Sequence, residues 1–426
     1  MPTTSKALIL SEVNAPFELR EVVVDDPRRG EVLVKMIACG VCHSDLSVQS
    51  GVLPGQFPSC LGHEGAGMYV TCLSRSSVES VGPDVTGLEK GDSVLLSFNF
   101  CSDCRLCHAK KTSQCKAWLP LNFSLARSGE GKPHFAEDSE TGEPIAGMFF
   151  GQSSFSEYTL AAANSVSRGH TISSDILILH AIGVDAFQCV KIPAFSELAL
   201  LAPLGCGIQT GSVGYMGFVD SRTFLTSLCP PCRAGSVLNV LKPASDSFVG
   251  VWGLGGVGVA AICAAAYLGV KTIIAIDIVP SRLELARECG ATHCINGKTE
   301  DVEARIKEIT GGEMLDFAIE ASGVKACMYA AWGLLGSGGK LCQLGVFSQG
   351  TEFSLDINVA QVRHLSFVGN VEGASHSPVF IPQLLEMRRA GFLPLEKFTA
   401  QYPITEFEAA FKAMKDGSVI KPILCF

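Results

Sequence analysis

Apolar and polar positions follow two rhythms along this chain. In the first half, short apolar runs such as EVLVKMIAC, DSVLLSF and SEYTLAAA are separated by Gly, Pro and Asp. That is the pattern of strands joined by turns. From about Ser247 the pattern alternates. SFVGVWG predicts a buried strand, GGVGVAAICAAAYLG a helix of small residues, KTIIAIDI a strand, and PSRLELARECG a helix with Pro280 at its start and Gly290 at its end. LDFAIEAS, a helix near Lys325 to Leu335, GKLCQLGV and HLSFVGN continue the series. The alternation predicts a parallel sheet with helices on both faces. The tail from Ser377 reads as helix, loop, helix and a last strand, KPILCF. Ala126 to Gly147 are polar and glycine-rich, which predicts a surface loop.

The longest apolar stretch, Phe248 to Val270, is long enough for a membrane span. Its six glycines fit a strand, a glycine turn and a buried helix better, so no membrane partner is expected. At 426 residues the chain exceeds one ordinary domain. The net charge of −9 and the lack of a basic run give nucleic acid no electrostatic purchase. The N-terminal apolar run is too short for a signal peptide. With no export signal, eighteen cysteines predict a reducing compartment, the cytoplasm, where clustered thiols bind metal more often than they pair.

The sequence GLGGVG places Gly253, Gly255 and Gly258 between the first strand of the alternating half and its helix. Asp277 ends the next strand, 19 residues after Gly258. A lone glycine triad says little, but in this context it predicts dinucleotide binding. Gly253 permits the tight turn, Gly255 lets the backbone approach a pyrophosphate at the helix N-terminus, and Gly258 lets helix and strand pack closely. Asp277 can bind both hydroxyls of the adenosine ribose and would repel a 2′-phosphate, which favours NAD over NADP.

CSDCRLCHAKKTSQC supplies Cys101, Cys104, Cys107 and Cys115. Four thiolates close a tetrahedral zinc site with no open position, so this zinc is expected to be structural. GVCHSD, LGHEGAG and PLGCGIQTG supply Cys42, His63 with Glu64, and Cys206. Three protein ligands leave a fourth position for substrate oxygen, the pattern of a catalytic zinc. Spacing alone does not bring the three together.

Taken in order, GVCHSD, GHEGAG, the four-cysteine stretch, LGCGIQTG and GLGGVG resemble the zinc-dependent medium-chain alcohol dehydrogenases, and among them most the NAD-dependent aryl- or benzyl-alcohol dehydrogenases. The resemblance runs from about Lys6 to Phe426. It implies an α/β fold: a GroES-like β-rich catalytic domain built from residues 1–207 and 369–426, with a Rossmann doubly wound parallel sheet at 208–368. It implies two zinc ions, one catalytic and one structural, NAD, a small alcohol or aldehyde substrate, and a homodimer or homotetramer. Carried residue by residue, Cys42, His63 and Cys206 hold the catalytic zinc, with Glu64 behind it and Asp45 orienting His63. Ser44 bonds the alcohol oxygen and begins the proton relay. His43 and Lys421 flank the pyrophosphate, Arg282 supports the adenosine ribose, and Thr210 touches the nicotinamide side.

Several departures stand out. Ser47 occupies the position of the relay histidine found in several members, so the proton is expected to leave through water or the cofactor ribose. Ser97 replaces a bulky aromatic common before the cysteine stretch, which suggests a wider pocket. Three stretches lack counterparts: Met68 to Ser77, Val166 to Gln188, and the 25 residues between IQTG and VLNV. Surface insertion costs little loop entropy where the ends stay close. The third stretch, however, interrupts a helix the family needs and carries Phe218, Phe224, Leu225 and Leu228 with no evident core. Retained introns are the competing explanation. Val166-Ser167 can be encoded by a typical intron start, and Phe187-Gln188 by a typical intron end. Short in-frame introns fit a filamentous fungus and a pathway to aromatic natural products. Cys229 and Cys232, a C-x-x-C pair inside the third stretch, are then the least functional cysteines here. An inactive or scaffold-like product is the alternative to an enzyme. A zinc-free quinone reductase on the same fold is opposed by the two sets of candidate zinc ligands.

Overall fold

The computed structural model describes residues 3–28, 30–70, 92–129, 131–168, 195–212 and 236–426. The first half carries β1 (Thr3–Leu10), β2 (Phe17–Val24), β3 (Glu31–Gly40), β4 (Ser59–Cys60), β5 (Gly65–Val70), β6 (Ser93–Leu96), β7 (Ala136–Asp138), β8 (Pro144–Ile145), β9 (Tyr158–Ala162) and β10 (Val166–Arg168). Six strands follow between helices: β11 (Phe248–Trp252), β12 (Thr272–Asp277), β13 (His293–Asn296), β14 (Leu315–Glu320), β15 (Leu335–Gln343) and β16 (Ser366–Gly369). Two more, β17 (Thr399–Pro403) and β18 (Lys421–Cys425), end the chain.

The chain forms two compact units. The first comprises Met1–Cys206, His376–Pro382 and Phe398–Phe426. Its sheets run β4-β1-β2-β7-β8 and β10-β6-β5-β3-β18-β17, with β9 also on β3. β3 organises the unit. It carries β5 and β9 antiparallel along its length, and at its end Ile423 of β18 pairs with Gly40. The last strand of the chain is therefore stitched beside the turn that presents Cys42. Phe98, Phe135, Phe149 and Phe155 are fully buried here.

Ala126 to Gly147 is not the surface loop its composition predicts. β7 pairs with β2, β8 closes a hairpin on β7, and Phe135, Ala136 and Ile145 are buried. Arg127 is buried as well. Its guanidinium meets Glu31 at 2.6 Å and Asp25 at 2.8 Å and donates to the Asp26 carbonyl. Three inward apolar residues and one buried cation outweigh the polar majority.

The second unit comprises Gly207–Ser375 and Gln383–Lys397. Its sheet, β13-β12-β11-β14-β15-β16, is parallel throughout. Residues 383–397, expected with the catalytic domain, pack with this unit. Phe392 meets Tyr267 edge-on at 5.3 Å and Lys397 pairs with Glu288 at 2.6 Å. The helix Gly256–Tyr267 is lined with buried Val259, Ala260, Ala261, Ile262, Cys263, Ala264 and Ala265, as expected of small residues between sheet and outer layers. Among the described residues, no helix is long and apolar enough to cross a membrane.

Beyond Val70, the first stretch without a family counterpart lies outside the described residues, and Met68–Val70 belong to β5. Val166–Arg168 pair with β6, and the rest of the second stretch lies outside the described residues. So do residues 213–235, including Cys229 and Cys232.

Candidate metal centres and cofactor loop

Cys42 precedes the helix His43–Gln49 in extended backbone. Asp45, in that helix's first turn, is wholly buried. It accepts from Cys42 N and Gly62 N, both at 3.1 Å, and stands 3.1 Å from His63 Nδ1. One carboxylate thus fixes the cysteine turn and the imidazole together. Phe150 stacks on the His63 ring at 4.6 Å and Phe149 meets it edge-on at 5.0 Å. With Nδ1 committed and the ring clamped, Nε2 is left buried without a partner.

That nitrogen belongs to a cluster. Cys42, His63, Glu64 and Cys206 each offer a ligand atom, all within 4.8 Å of one another. Two thiols, an imidazole and a carboxylate are a zinc donor set, and a buried imidazole nitrogen with no protein partner fits a metal ligand. Burial and its charged neighbours set the protonation of the group. A hydrogen bond from the Cys206 thiol, then the charges of Lys421 and His63, hold Cys42 well below the usual thiol range despite burial. Burial pushes Glu64 up to about 7 against the pull of Lys421.

Lys421, expected beside a pyrophosphate, is buried. Its Nζ lies 2.7 Å from Glu64 Oε1 and 3.3 Å from the Val41 carbonyl. Gly40 makes room for this arrangement, since a Cβ there would collide with the Glu64 carboxylate. Cys206 follows Gly205, whose carbonyl accepts from Ser97 Oγ at 2.7 Å. Ser97 also bonds Ser377 Oγ at 3.1 Å and is fully buried, so it anchors the Cys206 turn. Ser44 Oγ lies 3.8 Å from Cys42 Sγ. His43 is exposed at the helix start. Ser47 Oγ donates to the His43 carbonyl at 2.9 Å.

Cys101, Cys104, Cys107 and Cys115 form the second cluster within the same 4.8 Å limit. Cys104 and Cys107 sulfurs are 3.5 Å apart, and Cys115 Sγ accepts from Cys101 N and Ala117 N, both at 3.4 Å. Backbone donors from Lys116 and Cys107 draw the Cys104 thiol down to about 6. N–H groups aimed at sulfur favour thiolate, the form that binds metal.

In the second unit the glycine loop follows β11. Gly253 has φ +83°, and a Cβ there would lie 2.7 Å from the Ser322 Cα. A Cβ on Gly258 would strike the Gly253 carbonyl, whereas one on Gly255 would meet nothing within 4 Å. Gly255 is the open side of the loop. Asp277 accepts from Leu254 N at 2.7 Å, Ile278 N at 2.7 Å and Val279 N at 2.9 Å, and Arg282 Nη1 stands 4.0 Å away. The acidic residue therefore ties the end of β12 to the glycine loop. Thr210, in the helix Gly207–Ser212, offers its carbonyl to Ser236 Oγ at 2.7 Å. The salt bridge of Lys421 to Glu64 and the backbone role of Asp277 carry no sequence motif.

A GroES-like β-rich unit and a parallel Rossmann sheet define a medium-chain dehydrogenase. Residues 28–170 match the alcohol dehydrogenase GroES-like domain and residues 256–387 the zinc-binding dehydrogenase family. The chain is 30% identical to a geraniol dehydrogenase of Castellaniella defragrans, over 99% of this chain and 98% of that protein. A benzyl alcohol dehydrogenase from Acinetobacter calcoaceticus superposes with a TM-score of 0.79 at 33% identity, covering 100% of this chain and 99% of that one. An alcohol dehydrogenase zinc-binding domain protein from Burkholderia ambifaria gives a TM-score of 0.83 at 34% identity, with both chains fully covered. The chain belongs to the zinc-binding alcohol dehydrogenase family, a family of oxidoreductases.

Proposed function

We propose that this chain interconverts a primary or aryl-type alcohol and its carbonyl product, with NAD as hydride partner. The first unit supplies the catalytic groups, and the second binds the cofactor. The buried, unpartnered Nε2 of His63 within the Cys42–Glu64–Cys206 cluster carries the proposal. Zinc held there would supply Lewis acidity toward the substrate oxygen, and NAD bound at the glycine loop would supply the hydride acceptor. The chain's own residues do the rest. Asp45 holds His63 in one tautomer and orientation. Ser44, whose Oγ lies 3.8 Å from Cys42 Sγ, takes the alcohol proton. Ser47 is committed to the helix backbone, which favours water or the cofactor ribose as the next proton carrier. Glu64 lies behind the cluster with its charge balanced by Lys421. The cysteine lobe holds a second, structural zinc.

An aryl-type substrate is supported by Phe150, which stacks on His63 and meets Trp118 edge-on at 5.8 Å, and by the name of the benzyl alcohol dehydrogenase. Every described cysteine is a free thiol, which supports a cytoplasmic setting. Exposed Ile357, Val362 and Phe367 near the outer strand β16 support a homodimer or homotetramer; a monomer by sedimentation would overturn that assignment.

The test is metal analysis of the purified chain with NADH absorbance during benzyl alcohol oxidation. About two zinc ions per chain with turnover are expected. One zinc or none, without turnover, would favour the inactive or scaffold-like product. Turnover with NADP alone would remove NAD from the proposal.

A further inference from the structure

The carboxyl ends of β11, β14 and β15 meet at Glu320, which the proposed reaction leaves without a role. Glu320 is the last residue of β14, opposite Trp252 of β11 and Gln343 of β15. It is fully buried. Its Oε1 accepts from Ser322 N at 2.8 Å, from Gly323 N at 2.9 Å and from Ser322 Oγ. Its main-chain carbonyl accepts from Leu344 N at 2.8 Å and Gly345 N at 2.9 Å. Oε2 is buried with no partner, and a Cβ on Gly345 would strike it. Burial raises the carboxyl's pKa, although the bonds to Oε1 favour its charged form. A carboxyl with one oxygen bonded three times and the other stranded is costly. Such a group persists where it holds something else in place.

What it holds is a set of interlocked turns. Gly253 lies against Ser322, and Gly323, at φ +68°, lies against the Val346 carbonyl, 2.6 Å from where its Cβ would stand. Gly345 lies against the Gly323 amide. The glycine loop, the Ser322–Gly323 turn and the Gly345–Val346 turn therefore touch backbone to backbone, and the Glu320 carboxylate bonds the middle one.

In parallel sheets a ligand lies across the carboxyl ends of the strands. With a pyrophosphate over β11 and a ribose at Asp277 on β12, the rest of a dinucleotide extends over β14 and β15. At about 4.8 Å between strands, these lie roughly 5 and 10 Å further on, the reach of a ribose and a ring. A second observation marks the same path. Ile278 beside Asp277 is 62% exposed, and Val346 on the β15 turn is 51% exposed. Large apolar side chains at both ends of this path suit the flat rings of adenine and nicotinamide.

We propose that Glu320 is a positioning residue for the nicotinamide half of the cofactor. It pins the Ser322–Gly323 turn and, through it, the glycine loop and the Gly345–Val346 turn. The proposal rests on the dinucleotide assignment of the glycine loop.

Binding of NADH and AMP to the purified, zinc-assayed full chain by calorimetry tests it. AMP spans only β12 and β11. Glu320→Gln keeps one oxygen for all three donors, whereas Glu320→Ala keeps none. Glu320→Ala is expected to weaken NADH about tenfold or more and AMP less than about threefold, with Glu320→Gln within about threefold of wild type for both. Equal loss of both ligands in Glu320→Ala, no loss, or a Glu320→Gln variant as weak as Glu320→Ala would each overturn the proposal. If Glu320→Ala does not fold, Glu320→Asp decides, because it keeps the charge on a side chain one methylene too short to hold all three donors of the Ser322–Gly323 turn. Selective loss of NADH supports the positioning role, and equal or absent loss overturns it. A wild type that binds neither ligand would overturn the dinucleotide assignment itself.

Discussion

His63 is a buried imidazole with one nitrogen committed to Asp45 and the other bare. The cost of leaving that nitrogen unpaired is recovered only when something binds it. Asp45→Asn keeps the shape of the side chain and removes its charge. Zinc affinity at the Cys42–His63–Cys206 cluster is expected to fall about 10- to 100-fold, while the cysteine lobe keeps its ion. Competition against a chelator reads this as one zinc lost early and one retained; two ions lost together would refute it. The motifs GVCHSD and GHEGAG nominated these residues through the family they resemble, while spacing alone did not bring them together. Lys421 shows the opposite case. Its ammonium reaches Glu64, a residue 357 positions away in sequence, only because β18 pairs with the end of β3. No spacing along the chain encodes that contact, and the nominated pyrophosphate role did not anticipate it.

At the scale of elements, periodicity was readable wherever one face of a strand or helix is uniformly buried. β11 and β12 are such strands, and the sequence alternation locates them. β7 and β8 are too short for a period to show, and polar residues surround the few that turn inward. The turn at His376 is equally silent in sequence. Its Nδ1 lies 3.2 Å from Thr112 Oγ1 and its ring meets Phe100 at 5.7 Å. Burial, with a contribution from Lys110, pushes its pKa down to about 4. The unfolded chain therefore takes up this proton first as the pH falls. The contribution to stability is intact above the ordinary histidine value and is lost as pH drops through about 4. At pH 5 the loss amounts to roughly 2 kcal/mol. His376→Gln is expected to narrow the gap between urea midpoints at pH 7 and pH 5; an unchanged gap would show that another group governs acid sensitivity.

Across the whole molecule, the fold class was legible because glycine, cysteine and histidine motifs fall in one order along both units. What remained open was whether the third stretch without a family counterpart interrupts one element or joins two. The described residues on either side bear on this. The helix Gly207–Ser212 includes the first residue of the stretch, and the helical segment Ser236–Leu241 includes its last. Ser236 Oγ donates to the Thr210 carbonyl at 2.7 Å. Were Ser236 joined directly to Ser212, it would stand three residues after Thr210. A serine hydroxyl bonded to the carbonyl three residues back is a standard contact within a helix. Asn370 Nδ2 bonds the same hydroxyl at 2.7 Å, so Ser236 is held where a continuous helix would put it. A chain lacking residues 213–235 is therefore expected to fold, to bind zinc in the same ratio as the full chain and to unfold at an equal or higher urea concentration. Loss of zinc or of cooperative unfolding on deletion would show that the stretch contributes packing of its own, and that the helix is two elements rather than one.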